Sequence, residues 1–251
     1  MSFVSLSDVH VKNPQDDRYR LLLKFFKHEA TQKADQVFLL GDIFDLMVGP
    51  YPEYYQLYSE FFNELVELVR KGKVVHYFEG NHDLHIKNLF RQLLKKENLS
   101  EKLLVFHREP WTTNFQGKSY YFSHGDELEP GNYSYKIYKQ VLMSKPIEFI
   151  IGHIAPYSLI EAIGTNASKL SKKNGKRSYN EDKNRSRFRQ GATYHARGIY
   201  DFIVAGHSHI KENIELKSTD KAFHYINNGF FPEQKTFIQM EYNQVKFISL
   251  V

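Results

Sequence analysis

The sequence predicts an α/β protein with two sheets and an inserted helical segment. In the first third of the chain, short apolar runs alternate with segments of helical periodicity. After residue 100, strand-like runs follow one another with few helices between them, except across residues 133–198. Polar and ionisable side chains collect directly after several predicted strands, which is where open α/β sheets bind ligands.

The first third forms a predicted β-α-β-α-β unit. Residues 3–7 (FVSLS), 36–40 (QVFLL) and 73–79 (KVVHYFE) are short and apolar, as buried strands are. Residues 18–32 and 52–72 repeat their apolar positions at the spacing of amphipathic helices. This alternation implies a parallel sheet with right-handed crossovers.

Six strand-like runs after residue 100 indicate that the protein has a second sheet. Their sequences are KLLVF, SYYFS, DFIVAG, FHYIN, TFIQME and VKFISL. Residues 133–198 interrupt this series with helices and a basic loop, and the strand pattern returns at once at IYDFIVAG. We therefore expect one domain spanning residues 1–251, in which residues 133–198 form a helical, basic insertion or lid.

The composition indicates a cytoplasmic protein with an anionic partner. The chain has 251 residues and no cysteine, which excludes disulfides, thiolate metal ligands and cysteine nucleophiles. Its first residues do not form a signal-peptide pattern, so a cytoplasmic location is the default expectation. The net charge of +5 suits phosphate, a nucleotide, nucleic acid or an acidic membrane surface. Nucleic acid is disfavoured, because the basic stretch of the insertion has few aromatic side chains for base stacking.

Side chains of the metal-ligand types follow five of the predicted strands. They belong to Asp8, His10, Asp42, Asn81, His124, His207 and His209. Asp8 and His10 are two residues apart, so an extended backbone would turn both side chains to one face. Each short motif alone is typical of a turn or a helix cap. Their joint occurrence, in this order and after strands, favours a metal site.

The number and type of these residues favour a pair of divalent ions. Two ions about 3.5–4 Å apart that share a bridging carboxylate would use all of the side chains, whereas one ion seldom needs so many. Such a pair clamps a phosphoryl group and lowers the pKa of a bridging water for in-line attack on phosphorus. Mixed oxygen and imidazole ligation suits Mn, Fe, Zn or Co, while Mg prefers oxygen ligands. We take Mn as the expected ion and the others as alternatives.

At these positions the chain resembles the calcineurin-like metallophosphoesterases. The resemblance spans residues 1–230 and rests on Asp8-Val9-His10, Gly41-Asp42, Gly80-Asn81-His82-Asp83, His124 and Gly206-His207-Ser208-His209. It implies a four-layer α/β/β/α sandwich whose active site is capped by the insertion. It also implies that the first ion is held by Asp8, His10, Asp42 and His209, and the second by Asp42, Asn81, His124 and His207. His82 would protonate the leaving oxygen or stabilise the phosphoryl charge, and Asp83 would orient His82.

Within that family the spacing is most similar to the UDP-2,3-diacylglucosamine hydrolases of lipid A biosynthesis. That resemblance implies a nucleotide-linked lipid substrate and peripheral contact with the cytoplasmic face of an inner membrane. The apolar residues 136–164 would then form an acyl groove or a membrane-facing lid, although an ordinary helix packed on the core explains them equally well. The residues expected to contact the nucleotide or phosphates are Tyr135, Asn166, Ser168, Lys169 and Lys172.

His82 leaves the substrate open, because many enzymes of that hydrolase group have arginine at this position. One alternative is another metallophosphodiesterase or phosphatase, acting on a cyclic nucleotide, a nucleic acid end or a phosphoprotein. A further alternative is a non-catalytic interaction module on the same fold, which the complete set of metal ligands disfavours. The sequence makes no prediction about the oligomeric state.

Overall fold

The computed structural model describes residues 2–163 and 180–251. The strands are β1 (Ser2–Leu6), β2 (Gln36–Leu39), β3 (Met47–Val48), β4 (Val74–Phe78), β5 (Asp83–Leu84), β6 (Leu104–His107), β7 (Trp111–Phe115), β8 (Lys118–Phe122), β9 (Phe202–Ala205), β10 (Glu212–Ser218), β11 (Lys221–Asn227), β12 (Thr236–Glu241) and β13 (Gln244–Ser249). The helices are α1 (Asp17–Lys27), α2 (Glu29–Lys33), α3 (Glu53–Leu57), α4 (Ser59–Arg70), α5 (Lys87–Lys96), α6 (Tyr133–Leu142), α7 (Lys145–His153), α8 (157–163), α9 (Glu181–Ala196) and α10 (Phe231–Gln234).

Two large sheets carry most of the strands. The first has the order β13-β12-β1-β2-β4-β6, and the second has the order β10-β11-β9-β8-β7. Strands β1, β2, β4 and β6 run parallel to one another, as predicted for the first third of the chain, while β12 pairs antiparallel with β1. In the second sheet, β9 is parallel to both β8 and β11. The loops with the predicted ligands therefore follow parallel strands of both sheets, and such loops gather at one edge.

Three apolar cores divide the molecule into four layers. The core between the first sheet and helices α1, α4 and α5 includes Leu22, Val37, Phe61, Tyr77 and Phe90. The core between the two sheets is rich in aromatic rings and includes Phe3, Phe38, Phe78, Phe122 and Phe202. The core between the second sheet and α9 includes Tyr121, Phe188, Ala192, Ile203 and Tyr225. The α/β/β/α sandwich implied by the family resemblance is confirmed.

Each long helix predicted in the first third is divided into two. His28 has an extended backbone, with φ −65° and ψ 141°, and its Nδ1 accepts a hydrogen bond from the amide of Ala30. His28 therefore ends α1 and caps α2, where continuous periodicity predicted a single helix over 18–32. The helix predicted over 52–72 divides in the same way at Tyr58, which has φ −119° and ψ 41°.

The predicted insertion begins with α6, α7 and α8, called the insertion helices below. Tyr51 Oη lies 2.7 Å from the carbonyl oxygens of Ile151 and Ala155, at the C-terminal end of α7. The ring of Tyr157 in α8 lies 5.4 Å from the ring of Tyr54 in α3. The last helix of the segment, α9, also forms the fourth layer of the sandwich. Within the described ranges, no helix is both long and apolar enough to cross a bilayer.

Candidate metal centre

The loops after β1, β2, β4, β8 and β9 bring the predicted ligands together. Three groups of ligand atoms each lie within 4.8 Å of one another: Asp8, His10 and His209; Asp42, His124 and His207; and His10, Asp45 and His82. The first two groups correspond to the two ligand sets that the family resemblance implies. The third group shares His10 with the first and contains Asp45, which the sequence reasoning did not select.

Each of the two predicted ligand sets converges on a common point. In the first, His209 Nε2 lies 3.4 Å from Asp8 Oδ1 and 3.3 Å from His10 Nε2. In the second, His124 Nε2 lies 3.1 Å from His207 Nδ1 and 3.2 Å from Asn81 Oδ1. Imidazole nitrogens and amide or carboxylate oxygens thus face one another at close range, which is the donor arrangement of a metal site with mixed ligands.

Asp42 lies between the two sets. Its Oδ2 is 3.7 Å from His10 Nε2 and 3.6 Å from His124 Nε2, so one carboxylate oxygen faces both groups. Its Oδ1 accepts hydrogen bonds from the backbone amides of Asn81 at 2.9 Å and His82 at 3.0 Å. Asp42 is only 2% exposed. The two oxygens therefore have separate tasks, since one faces the ligand groups while the other fixes the next loop.

Left-handed backbone, not strand alternation, directs several of these side chains. Five of the predicted ligands have positive φ: Asp8 (54°), His10 (51°), Asp42 (53°), His207 (65°) and His209 (59°). Few non-glycine residues adopt this region, although Asp and His enter it more readily than most. The expectation that Asp8 and His10 share a face because their backbone is extended is therefore wrong. They converge because the chain turns sharply at each of them.

Two glycines permit the close packing of these loops. A Cβ atom on Gly206 would lie 2.7 Å from both Asp8 Oδ2 and Ser7 Oγ. A Cβ atom on Gly80 would lie 2.5 Å from the backbone nitrogen of Asp42 and would overlap its carboxylate. Side-chain atoms essentially never approach so closely, so any larger residue at either position would push the loops and their ligands apart.

The buried charges fit divalent cations. Burial alone would raise the pKa of Asp42, but His124, His10 and further histidines lower it below its ordinary value. Burial likewise opposes ionisation of Asp8, and its contact with His209 lowers its pKa. Burial and the neighbouring His124 lower the pKa of His207 to about 4, which leaves its imidazole neutral and able to ligate. Burial opposes protonation of His124, but the carboxylates of Asp42, Asp126 and Asp8 raise its pKa to about 9, and contact with Asp8 raises the pKa of His209 against the effect of burial. Protonated histidines thus balance the buried carboxylates, and divalent ions would displace those protons and supply the positive charge instead.

The geometry around His82 defines its tautomer. Its Nδ1 lies 2.9 Å from the carbonyl oxygen of Asp45. Because a carbonyl only accepts hydrogen bonds, Nδ1 carries the proton and Nε2 is left available. The His82 ring lies 4.8 Å from the ring of His10, and Asp45 Oδ1 lies 3.7 Å from His10 Nδ1. Asp45 therefore contacts both histidines, one through its backbone and one through its side chain.

Asp83 has a different task from the predicted one. Its fully buried carboxylate accepts four hydrogen bonds, from the backbone amides of Gly80 (2.8 Å), Asp42 (3.0 Å) and Ile43 (2.8 Å) and from the hydroxyl of Tyr77 (2.7 Å). The expectation that Asp83 orients His82 is therefore corrected, since these bonds point to the backbone around Asp42. Asp83 fixes the two loops that present Asp42 and Asn81 to each other.

The predicted substrate-binding residues are only partly described. Tyr135, on α6, places its ring 6.1 Å from the ring of His207. Burial, together with the nearby carboxylates of Asp126 and Asp42, raises the pKa of Tyr135, so the hydroxyl stays protonated. Lys139, one turn further along α6, donates to both oxygens of buried Asp126, at 2.8 and 2.6 Å. The other expected residues, which are Asn166, Ser168, Lys169 and Lys172, lie outside the described residues.

Comparison with known families explains this arrangement. The sequence model described as calcineurin-like phosphoesterase matches residues 1–211. The chain belongs to the calcineurin-like phosphoesterase family. The prediction of a phosphoester hydrolase is confirmed by membership of this family. The candidate ligand groups lie in the loops that follow parallel strands of both sheets, within the matched residues.

Two curated relatives of this phosphoesterase have the same name. It is 25% identical over 149 residues to the UDP-2,3-diacylglucosamine hydrolase of Histophilus somni (strain 2336), covering 59% of both chains. It is 26% identical over 143 residues to the enzyme of that name from Neisseria meningitidis serogroup B (strain ATCC BAA-335 / MC58), covering 57% of this chain and 56% of the relative. The matched part of the chain therefore spans less than two thirds of these relatives.

A solved structure supports the fold of this phosphoesterase independently. A protein described as a novel archaeal phosphodiesterase superposes with a TM-score of 0.50 at 12% sequence identity, covering 99% of each chain. At that identity the similarity concerns the fold alone.

Proposed function

We propose that the protein hydrolyses UDP-2,3-diacylglucosamine to UMP and 2,3-diacylglucosamine 1-phosphate, with Mn as the bound ion. The observation that carries this proposal is an exposed apolar face on the insertion helices, next to the candidate metal centre. A substrate with two acyl chains and a diphosphate needs both features within reach of each other. The names of the curated relatives agree with this substrate.

The apolar face is unusual for a protein surface. Nine of the fourteen exposed large hydrophobic residues that the described ranges contain lie on or between the insertion helices, namely Tyr133, Ile137, Tyr138, Val141, Phe149, Ile150, Ile154, Leu159 and Ile163. Helix α6 buries none of its residues, so it does not pack on the core as an ordinary amphipathic helix does. Clustered apolar exposure of this kind marks a surface for a lipid, a membrane or a partner. We propose acyl chains and the inner membrane surface as its contacts.

Helix α6 connects this face to the metal centre. Tyr135 and Lys139 lie one turn apart on α6, and both reach the loops that carry the second ligand set. A substrate lying along α6 would therefore have its apolar part on the exposed face and its phosphates at His207 and Asp42. This geometry also fits the proposed insertion, residues 133–198, within a single domain.

We assign the roles of the site residues as follows. Asp8, His10, Asp42 and His209 hold one ion, and Asp42, Asn81, His124 and His207 hold the other. When bound, two divalent ions neutralise phosphoryl charge and lower the pKa of a water placed between them. Asp42 Oδ2 faces both ligand sets and holds them together. His82, whose Nδ1 donates to the carbonyl of Asp45, would in its protonated form give the Nε2 proton to the leaving oxygen. Asp83 fixes the backbone of the loops that present Asp42 and Asn81.

A second candidate is a phosphodiesterase or phosphatase that acts on another phosphate ester, such as a cyclic nucleotide. The observation that favours it is His82, since the histidine serves phosphoryl transfer from any alcohol and selects no substrate. Both candidates use the same ligand groups, so only the apolar face separates them.

The test offers the purified, Mn-loaded protein UDP-2,3-diacylglucosamine beside bis(4-nitrophenyl) phosphate, with UMP measured by chromatography. We expect UMP from the lipid substrate, and we expect Val141→Ser to lower its formation while sparing the small ester. Ile199→Ser is the matched control, since Ile199 is 56% exposed, like Val141 at 58%, but lies outside the insertion helices. Hydrolysis of the small ester without UMP from the lipid would favour the second candidate.

A further inference from the structure

Arg108, which directly follows β6, joins the metal-centre loop to the insertion helices. Its Nε donates to Glu79 Oε2 at 3.1 Å, and Glu79 has a fully buried side chain. Its Nη1 and Nη2 donate to the two oxygens of Glu148, at 2.8 and 2.6 Å. Glu148 lies in α7. One guanidinium thus connects a buried carboxylate of the body to a carboxylate of the insertion.

Glu79 closes the loop that carries two of the proposed site residues. It immediately precedes Gly80, and its Oε1 accepts a hydrogen bond from the backbone amide of Ile86 at 3.2 Å. The loop between these two ends contains Asn81 and His82. The carboxylate that Arg108 contacts therefore fixes the far end of the loop of Asn81 and His82.

His85, in the same loop, extends the connection to α6. Its Nε2 lies 2.9 Å from the carbonyl oxygen of Leu142, the last residue of α6. Because that carbonyl must accept, Nε2 carries the proton and Nδ1 is an acceptor. Arg108 Nη2 lies 3.4 Å from this Nδ1. The guanidinium therefore reaches α7 directly and α6 through one imidazole.

Only arginine can make all of these contacts at once. Its planar fork pairs with both oxygens of one carboxylate while Nε remains free for another acceptor. Lysine would keep the charge near Glu79 but would lose the paired geometry with Glu148. The Arg108 and Glu148 side chains are 33% and 36% exposed, so their pairing adds modestly to stability and its main effect is on geometry.

We propose that Arg108 is a positioning residue that fixes the insertion helices relative to the loop of Asn81 and His82. In this role it sets where the insertion presents the non-reacting part of a bulky substrate, without touching the reacting atoms. The inference rests on the proposed function, because it assigns the insertion to substrate binding. It predicts that breaking the bridge weakens binding of a bulky substrate and leaves a small one unaffected.

The test compares Glu148→Gln, Arg108→Lys and the double variant in the full-length, Mn-loaded protein. Glu161→Gln, which removes one charge from the neighbouring helix α8, is the matched control. We expect each single variant to raise KM for UDP-2,3-diacylglucosamine by about threefold to tenfold with kcat unchanged. The double variant should show no further increase, because both changes break the same contact. The constants for bis(4-nitrophenyl) phosphate should stay at the native values, which also shows that the variants are folded.

Hydrogen exchange supplies a readout that does not depend on the substrate. In both single variants, amides of α7 should exchange faster than in the native protein and in Glu161→Gln, while amides of residues 80–86, whose loop Glu79 still closes through the amide of Ile86, should exchange at the native rate. Additive KM effects in the double variant, a KM change no larger than that of Glu161→Gln, or unchanged α7 exchange would each overturn the inference. If the native protein releases no UMP, the proposed function fails, and the exchange result alone then decides whether Arg108 fixes the insertion.

Discussion

Asp83→Asn tests the reassigned role of Asp83. The carboxylate accepts two hydrogen bonds on each oxygen, and asparagine replaces one oxygen by an NH₂ group that cannot accept. Two buried donors then lose their acceptor, and an unsatisfied buried group costs roughly 1–3 kcal/mol. We therefore expect the free energy of unfolding to fall by roughly 2–6 kcal/mol, a large part of the about 5–15 kcal/mol typical of a folded domain.

Urea unfolding followed by circular dichroism, in the presence of a chelator, measures this loss separately from metal binding. Asp17→Asn provides the control, because Asp17 is 86% exposed and its ion pair with Arg20 lies on the surface. Its free energy of unfolding should change by less than about 1 kcal/mol. A loss below about 1 kcal/mol for Asp83→Asn would refute the view that Asp83 fixes the backbone of both loops.

Three further predictions follow from the centre and from the core between the sheets. Asp42→Ala should lose bound metal, measured by elemental analysis, together with all hydrolysis; retention of two ions would exclude Asp42 as the bridge. His82→Ala should keep both ions and lower kcat by about two to four orders of magnitude, and near-native turnover would exclude it as the proton donor. Burial and the adjacent His107 lower the pKa of His76 to about 3. Below about pH 6.5, His76 therefore binds a proton in the unfolded chain but stays neutral in the folded chain. Metal-free protein should accordingly lose stability between pH 6.5 and 5, and His76→Phe should flatten that slope; equal slopes for the two proteins would contradict this origin.

The convergence of the candidate ligands was predictable because each one follows an apolar strand. The carboxyl ends of parallel strands lie at the same edge of a sheet, so the loops that follow them lie close together. Asp45 was missed because it lies three residues beyond Asp42, in a turn whose course periodicity does not define. The role of Asp83 was wrong for a related reason. Adjacency to His82 suggested contact with the ring, yet the nearest unpaired donors were amides of another loop, 40 and 41 residues away in the chain.

The limits of the fold prediction have equally local causes. Apolar spacing continues across His28, but its ring accepts a hydrogen bond from the amide of Ala30 where α2 begins. Periodicity does not predict such a cap. Strands β7 and β10 were not predicted, because each is an edge strand with exposed and less exposed positions in alternation. Such strands contain polar residues that resemble loop sequence. The two interpretations of residues 136–164 could not be separated from the sequence, because the exposure of a side chain depends on tertiary packing; in the described part of this segment, Ile137, Val141 and Phe149 are exposed.

The left-handed ligands have a consequence for protein engineering. Glycine at any of Asp8, His10, Asp42, His207 or His209 would relieve backbone strain, which at such sites is of order 1–3 kcal/mol per residue. A library of variants selected for thermal stability alone would therefore enrich glycine substitutions that remove the candidate metal ligands. Selection should instead be coupled to retained metal, so that variants gaining robustness elsewhere are kept. The same balance between stability and metal binding would act on a homologue that no longer needs catalysis. In such a protein we expect the ligand positions with positive φ to be replaced by glycine early.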